Sequence, residues 1–303
     1  MTAVSVKKHR RRRDIAFPVA NTIILILLMF ITLYPVLNTV AYSFNSGLDA
    51  VKGGIGLWPR KFSTEAYTEL LRDPAVYKAF GISVSKTVIT TLTNLFFTSM
   101  LAFALSRREY VLRGFITTVL VLTMYINAGL IPNYLLISRT LGLRNTYWVY
   151  IIPTMFSCFN MIVIRTYIQG LPDALVESAR IDGAGDIRCF FQIILPLCLP
   201  VMATVALFVA VGAWNSWFDT YLYNGSKKDL YSMQYLLKMK LATTQSASNS
   251  ANATADALAQ TTKVTPITVR SAISVISAVP ILIVYPFLQK YFVTGMALGA
   301  VKG

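Results

Sequence analysis

The chain has 303 residues, 55% of them hydrophobic and only 14% charged. Soluble globular domains carry about 25% charged residues, so water is excluded as the main solvent of this chain. The formal net charge of +15 raises nucleic acid as a partner, but the basic residues are spread between apolar runs with no basic groove or aromatic-studded motif to read bases, and no nucleic acid is expected.

Six apolar runs follow one another, at residues 15–43, 80–105, 114–136, 147–167, 195–222 and 270–293. Each is close to or above the roughly 20 residues that cross a hydrocarbon core of about 30 Å. The predicted fold is an all-α integral membrane protein with six transmembrane helices, a multi-pass protein of the lipid bilayer. A basic tail, 1–14, precedes the first run, and its Lys7, Lys8, Arg10, Arg11, Arg12 and Arg13 place the amino terminus in the cytosol. An even number of spans returns the carboxyl terminus to the same side, and the short loop with Arg107, Arg108 and Arg113 then also falls inside. The first run exceeds the 7–15 residues of a signal-peptide core and is predicted to stay as a helix.

Trp58, Tyr67, Tyr147, Trp148, Tyr221, Tyr223 and Tyr291 fall near predicted span ends, where amphipathic rings anchor at the interface. Cys158, Cys189 and Cys198 form no CxxC pair, so neither a disulfide framework nor a metal site is expected. An external loop, 223–268, carries a small-residue polar tract after Leu241 with too little apolar bulk for a core; it is expected as a mobile loop or a helix-capable insert.

Between spans four and five, residues 170–196 are too polar at first to cross lipid and too patterned to be a linker. Pro172 and Asp173 start a short helix, Ala174 to Ile181 continue it, and Gly183 permits a sharp turn. Phe190, Phe191, Ile194 and Leu195 give a second short helix an apolar face before Pro196 and Pro200.

This spacing resembles the cytoplasmic loop of bacterial binding-protein-dependent importer permeases, whose pattern is Glu-Ala-Ala, Asp-Gly, a hydrophobic residue, then Leu-Pro. The matching residues are Glu177, Ala179, Asp182, Gly183, Ala184, Phe190, Leu195 and Pro196, with Ser178 at the middle alanine. The stretches Gly129–Leu136, Leu143–Trp148, Gly212–Asp219 and Gly299–Gly303 are similar to the carbohydrate-uptake permeases, in particular the oligosaccharide and polysaccharide branch. The serine-rich tract after Leu241 departs from that pattern. The resemblance implies an ABC importer subunit of the bacterial cytoplasmic membrane, a permease domain over 15–303 with 170–196 as its cytoplasmic coupling loop. It also implies that Glu177, Ser178, Ala179, Asp182, Gly183 and Ala184 couple to the ATPase. The implied partners are a second homologous permease, an ATPase dimer and an extracytoplasmic sugar-binding protein. No cofactor is expected on this chain, and the partner ATPase uses ATP and Mg. The alternative cargo in the same architecture is an amino acid or peptide.

Polar side chains inside a span are costly unless they face a cavity or another helix. Asn94, Tyr125, Asn127, Asn133, Asn160, Trp214, Asn215, Trp217 and Asp219 therefore stand out as candidates for a substrate path, with interhelical bonding or interface anchoring as the alternative for each. Lys86 and Arg165 lie close enough to predicted span ends to snorkel. An enzyme is not expected: the single histidine is His9 in the basic tail, which leaves no Ser-His dyad in the spans and no His-Glu-x-x-His motif, and there is no phosphate loop. An ion-coupled secondary transporter would want acids near mid-membrane, where this sequence has few.

Overall fold

The computed structural model of the chain describes residues 12–250 and 264–300, and among these the regular structure is helical, apart from an isolated bridge between Asn45 and Phe62. Most of the basic tail, the tract 251–263 and residues 301–303 lie outside the described residues, as does the side chain of Tyr291. The chain divides into two compact units, residues up to Leu70 with 247–275, and residues from Leu71 to Ser246 with those from Ile276 onward.

In the first unit, helix α1 (Arg12–Ser43) carries a long apolar stretch whose most apolar 18-residue window is not buried, and only its far end is covered, at Ala41 and Ser43. A helix of this kind is solvated by hydrocarbon. Two of its hydroxyls turn back onto the helix itself, Thr22 donating to the Pro18 carbonyl at 2.8 Å and Thr32 to that of Leu28 at 2.9 Å, which pairs those two donors without water. The connection after α1 is tied by Asp49, which accepts from Asn45 and from Arg60 Nε at 3.0 Å each. Helix α2 (Glu65–Arg72) then packs back, with the Tyr67 hydroxyl on Ser43 at 2.8 Å.

In the second unit, α3 (Pro74–Ser106) is the central helix. Its start follows local chemistry: Asp73 caps it by accepting from Ala75 N at 2.9 Å, and Pro74 occupies the first turn, where its missing N–H costs nothing. Along it, α4 (Arg113–Tyr125), α6 (Cys158–Gln169) and α9 (Leu199–Asn215) pack around a core that includes Ala102, Phe103, Met161, Ile164, Ile194 and Val205. Cys189 and Cys198 are free thiols buried in that core, and Cys158 is a half-buried one.

Three predicted spans are not single straight helices. The run 114–136 breaks after Tyr125 and turns by 114° into α5 (Leu130–Leu135), which continues as a π turn to Thr140. Gly129 takes φ +86° at the turn, and the Asn127 side chain accepts its N–H at 2.9 Å. The run 147–167 begins as two 3₁₀ turns, Tyr147–Tyr150 and Ile152–Thr154, and bends by 45° into α6, whose cap Ser157 accepts from Asn160 N. Two very short helices follow the polar segment, α7 (Ala174–Ile181) and α8 (Asp186–Cys189). From α8 a π turn over Phe190–Ile194 leads to Leu197, and the chain swings by 79° at Cys198 into α9; α10 (Phe218–Asn224) is separate. Among the described residues three helices are long and apolar enough to cross a membrane unbroken, and up to six segments are if each bent pair counts as one. The expected external loop is helical as α11 (Met233–Ser250) as far as it is described, before α12 (Pro266–Ala300) closes the chain.

Candidate functional site

The polar positions of α3 fall three and four apart: Ser83, Lys86, Thr90, Asn94 and Thr98, all buried. That spacing puts them on one face of a helix. Opposite them stand the irregular segment before α6 and the end of α9, and between these walls lies a cavity of about 390 Å³. Lys86, Thr90, Asn94, Tyr150, Asn160 and Asp219 line it, with apolar closure from residues such as Phe156 and Phe208.

The polar groups are bonded to one another. Lys86 Nζ lies 2.7 Å from Asp219 Oδ2, donates to the Ser216 carbonyl at 3.1 Å, and sits 4.6 Å over the Tyr150 ring. The Lys86 side chain is 2% exposed and that of Asp219 22%. At this depth the carboxylate and the carbonyl stand where water would otherwise solvate the amine. Tyr150 bonds to Thr220 at 3.0 Å and donates to the Leu230 carbonyl at 2.6 Å. Asn94 donates to the Thr154 carbonyl at 2.7 Å and accepts from Asn160 Nδ2 at 3.3 Å. The break before α6 is thus what points Thr154 and Tyr150 carbonyls toward α3, where Asn94 and Thr90 receive them. Chemically the cavity offers amides, hydroxyls, a phenol ring and a charge pair between apolar walls, a lining suited to a hydroxyl-rich cargo.

Of the path candidates read from sequence, Asn94, Asn160 and Asp219 meet at this cavity. Tyr125 is 83% exposed, and Asn127 and Asn133 are exposed at the α4–α5 break. Trp214 is buried away from the cavity, its Nε1 donating to the Ser277 carbonyl at 2.9 Å and its ring set edge-on to Phe80, an interhelical contact. Asn215 is exposed and accepts from Gln234 at 3.4 Å, while Trp217 lies under Lys238. Lys86 was expected to snorkel and does not: it is buried and paired, because α3 extends a dozen residues before it. Arg165 does not reach for solvent either, its Nη1 donating to Thr117 at 3.0 Å across α4 and α6. Tyr223, expected at an interface, is buried and stacked on Tyr134. Lys86, Thr90 and Tyr150 were not among the candidates; the three-four spacing of polar residues through an apolar run was the signal for the first two.

At the other end of α3 sits α7. Val176 and Ala179 are buried in the chain's own core, so the small side chain at 179 serves internal packing. Glu177, Ser178, Asp182 and Gly183 are exposed, and Ala184 is half-buried. Among the described residues no ion pair reaches Glu177 or Asp182. Gly183 takes φ +79°, the turn that ends α7. Arg180 ties the loop down by donating to Glu109 and, at 3.0 Å, to Asp186. The hydrogen bond from Arg180 holds the Glu109 carboxyl below its ordinary range, and the two acids in turn raise the arginine. Arg108 reaches Asp173 at 3.8 Å.

A protein-family model described as "Binding-protein-dependent transport system inner membrane component" matches residues 94–298. The chain belongs to that family. As a member of the binding-protein-dependent inner membrane components, it is similar to the polygalacturonan/rhamnogalacturonan transport system permease protein YtcP of Bacillus subtilis, 36% identical over 280 residues that cover 91% of this chain and 96% of YtcP. Protein LplC of the same organism is 36% identical over 296 residues, covering 97% and 98% of the two chains. Among solved structures, the fold matches a chain of a bacterial ABC transporter involved in the import of the acidic polysaccharide alginate, with a TM-score of 0.83, 29% identity, and coverage of 96% of this chain and all of that one. The fold is therefore that of an ABC importer permease, and the family match takes in α7, Asn160 and Asp219 but begins after Lys86 and Thr90.

Proposed function

We propose that this permease carries oligo- or polysaccharide across the cytoplasmic membrane in an ATP-driven importer. Six spans, three of them bent, form the 15–303 permease domain, with both termini in the cytosol, 170–196 facing the cytosol and 223–268 facing outward. The cavity around Lys86, Asn94, Asn160 and Asp219 forms part of the sugar path, and α7 is the coupling helix that enters a partner ATPase. Glu177, Ser178 and Asp182 supply its exposed contact and Gly183 its turn, while Ala179 and Ala184 seat it on the permease. ATP and Mg are bound by the ATPase dimer; a second permease completes the path and an external binding protein delivers the sugar. The observation that carries the reading is a polar cavity of about 390 Å³ among apolar helices, in a chain that also exposes unpaired carboxylates on a short helix. The names of its relatives, which specify polygalacturonan, rhamnogalacturonan and arabino-oligosaccharides, support a saccharide cargo.

The test is purification from membranes in mild detergent, identification of co-purifying chains, and assay of ATPase activity against polygalacturonate, alginate and arabino-oligosaccharides with the matching binding protein. Co-purification of a second permease and an ATPase stimulated by one of these sugars is the expected result. A lone chain under conditions that preserve complexes would overturn the reading.

A further inference from the structure

A second cavity, of about 490 Å³, lies at the α7 end of α3 and takes no part in the sugar path. Phe96, Met100, Phe103, Phe190 and Phe191 wall it, and Arg107 stands at its rim. Phe96, Met100 and Phe191 keep 42%, 46% and 46% of their surface exposed despite being apolar. Along α3 the wall from Phe96 to Arg107 is roughly 16 Å long at 1.5 Å per residue. That is close to half of a hydrocarbon core of about 30 Å, the depth of one leaflet.

The rim charges are unequal in their partners. Glu109 and Asp186 are both held by Arg180. Arg107 has no ion pair among the described residues, its guanidinium rests 4.6 Å over the Phe103 ring, and its Nε is shut off from solvent without a hydrogen-bond partner. The Nε of this half-exposed arginine is thus buried without an acceptor, with the carboxylates of Asp173, Glu109 and Asp186 acting on it only at longer range, and a phosphate would supply the missing acceptor and a direct opposite charge. An extended protein segment would be a poor occupant of such a wall, since its backbone N–H and C=O groups would find no partners there, and a packed helix of a partner chain is the occupant the test below separates from lipid.

We propose that this cavity binds an anionic phospholipid, with its phosphate on Arg107 and an acyl chain along Phe96, Met100 and Phe191. The leaflet that supplies the lipid, the cytoplasmic one, rests on the orientation proposed above; the binding itself does not. Because Arg180 belongs to α7 and Asp186 opens α8, the lipid seats directly beside the loop assigned to the ATPase.

The experiment is native mass spectrometry of the full chain, with whatever partners it retains, titrated with dioleoyl phosphatidylglycerol or with dioleoyl phosphatidylcholine. The expected result is one phosphatidylglycerol retained per copy in preference to phosphatidylcholine. Arg107→Gln should weaken phosphatidylglycerol about fivefold, the factor one basic side chain carries at an anionic lipid surface, with phosphatidylcholine unchanged and Arg107→Lys, which keeps the charge but not the planar donors, falling between Gln and the wild type. Ala104→Phe, on the exposed wall of the cavity, should weaken both lipids. Equal affinities of wild type and Arg107→Gln for phosphatidylglycerol, or unchanged binding in Ala104→Phe, would overturn the proposal. So would lipid binding seen only after partner chains are stripped away, which would show a subunit covering the cavity. If no ATPase co-purifies, the sugar-import reading fails while this measurement still stands on the chain alone.

Discussion

Lys86 and Asp219 are a charge pair whose two members differ in how far they have left water, and that difference predicts unequal mutants. Asp219→Asn strands an ammonium that is 2% exposed and should cost about 3–5 kcal/mol of stability in detergent. Lys86→Met strands a carboxylate that keeps 22% of its side-chain surface exposed, so its cost should be smaller. The double replacement Lys86→Met with Asp219→Leu should recover most of the loss, since an apolar pair of similar volume often matches a buried ion pair. Chemical denaturation of the three variants checks the order; equal losses in both single variants would mean the pair is not the anchor described. Asn94, Asn160 and Asp219 were legible in the sequence because an amide or acid in an apolar run needs a partner. Lys86 was misplaced because a run counted from residue 80 puts it near an end, whereas the Asp73–Pro74 start signal makes it an interior residue. The ring of Trp214 suggests a sugar contact from sequence, but a ring in a span packs against helices as readily as it meets a cargo, as its contacts with Phe80 and Ser277 show.

Among the elements, α7 was the most legible, because its start, its length and its terminal glycine are all local signals. Gly183 sits at φ +79° with nothing within 4 Å of where a Cβ would stand, so a side chain there is opposed by the backbone alone, at about 1–2 kcal/mol. Uptake coupled to ATPase activity should therefore fall in the order Gly183, Asn, Ala, Val, with membrane insertion unchanged, and transport assays in vesicles with matched protein levels measure it. Full coupling in Gly183→Val would remove the turn from the mechanism. Glu109 adds a pH dependence. Its folded-state carboxyl lies below its ordinary value because Arg180 bonds to it, so its contribution is complete above the ordinary carboxylate range and is lost as pH falls through the lowered value. Melting curves between neutral and acid pH should show a steeper acid loss for wild type than for Arg180→Gln. The bent spans were not legible from hydropathy: composition over a 20-residue window does not register a turn made by Asn127 and Gly129 or by Cys198.

For the whole molecule, an odd number of spans separates Trp58 from Ser178, so the six-span arrangement sets these exposed positions on opposite sides. With Cys158, Cys189 and Cys198 replaced, Trp58→Cys should react with an impermeant maleimide in intact cells and Ser178→Cys only in inverted vesicles. Labelling of both from one side would sink the arrangement. The Lys86–Asp219 bond also has a consequence for how the chain is made. Its partners are 133 positions apart, and at about 5–20 residues per second the ribosome needs on the order of 7–27 s to travel between them. During that interval α3 carries an unpaired lysine whose insertion alone is opposed by roughly 2.5–3.5 kcal/mol. Until Asp219 arrives, the apolar residues of α3 have to offset that cost by themselves, and the bond then removes it, so the pair belongs to a late step in the making of the permease.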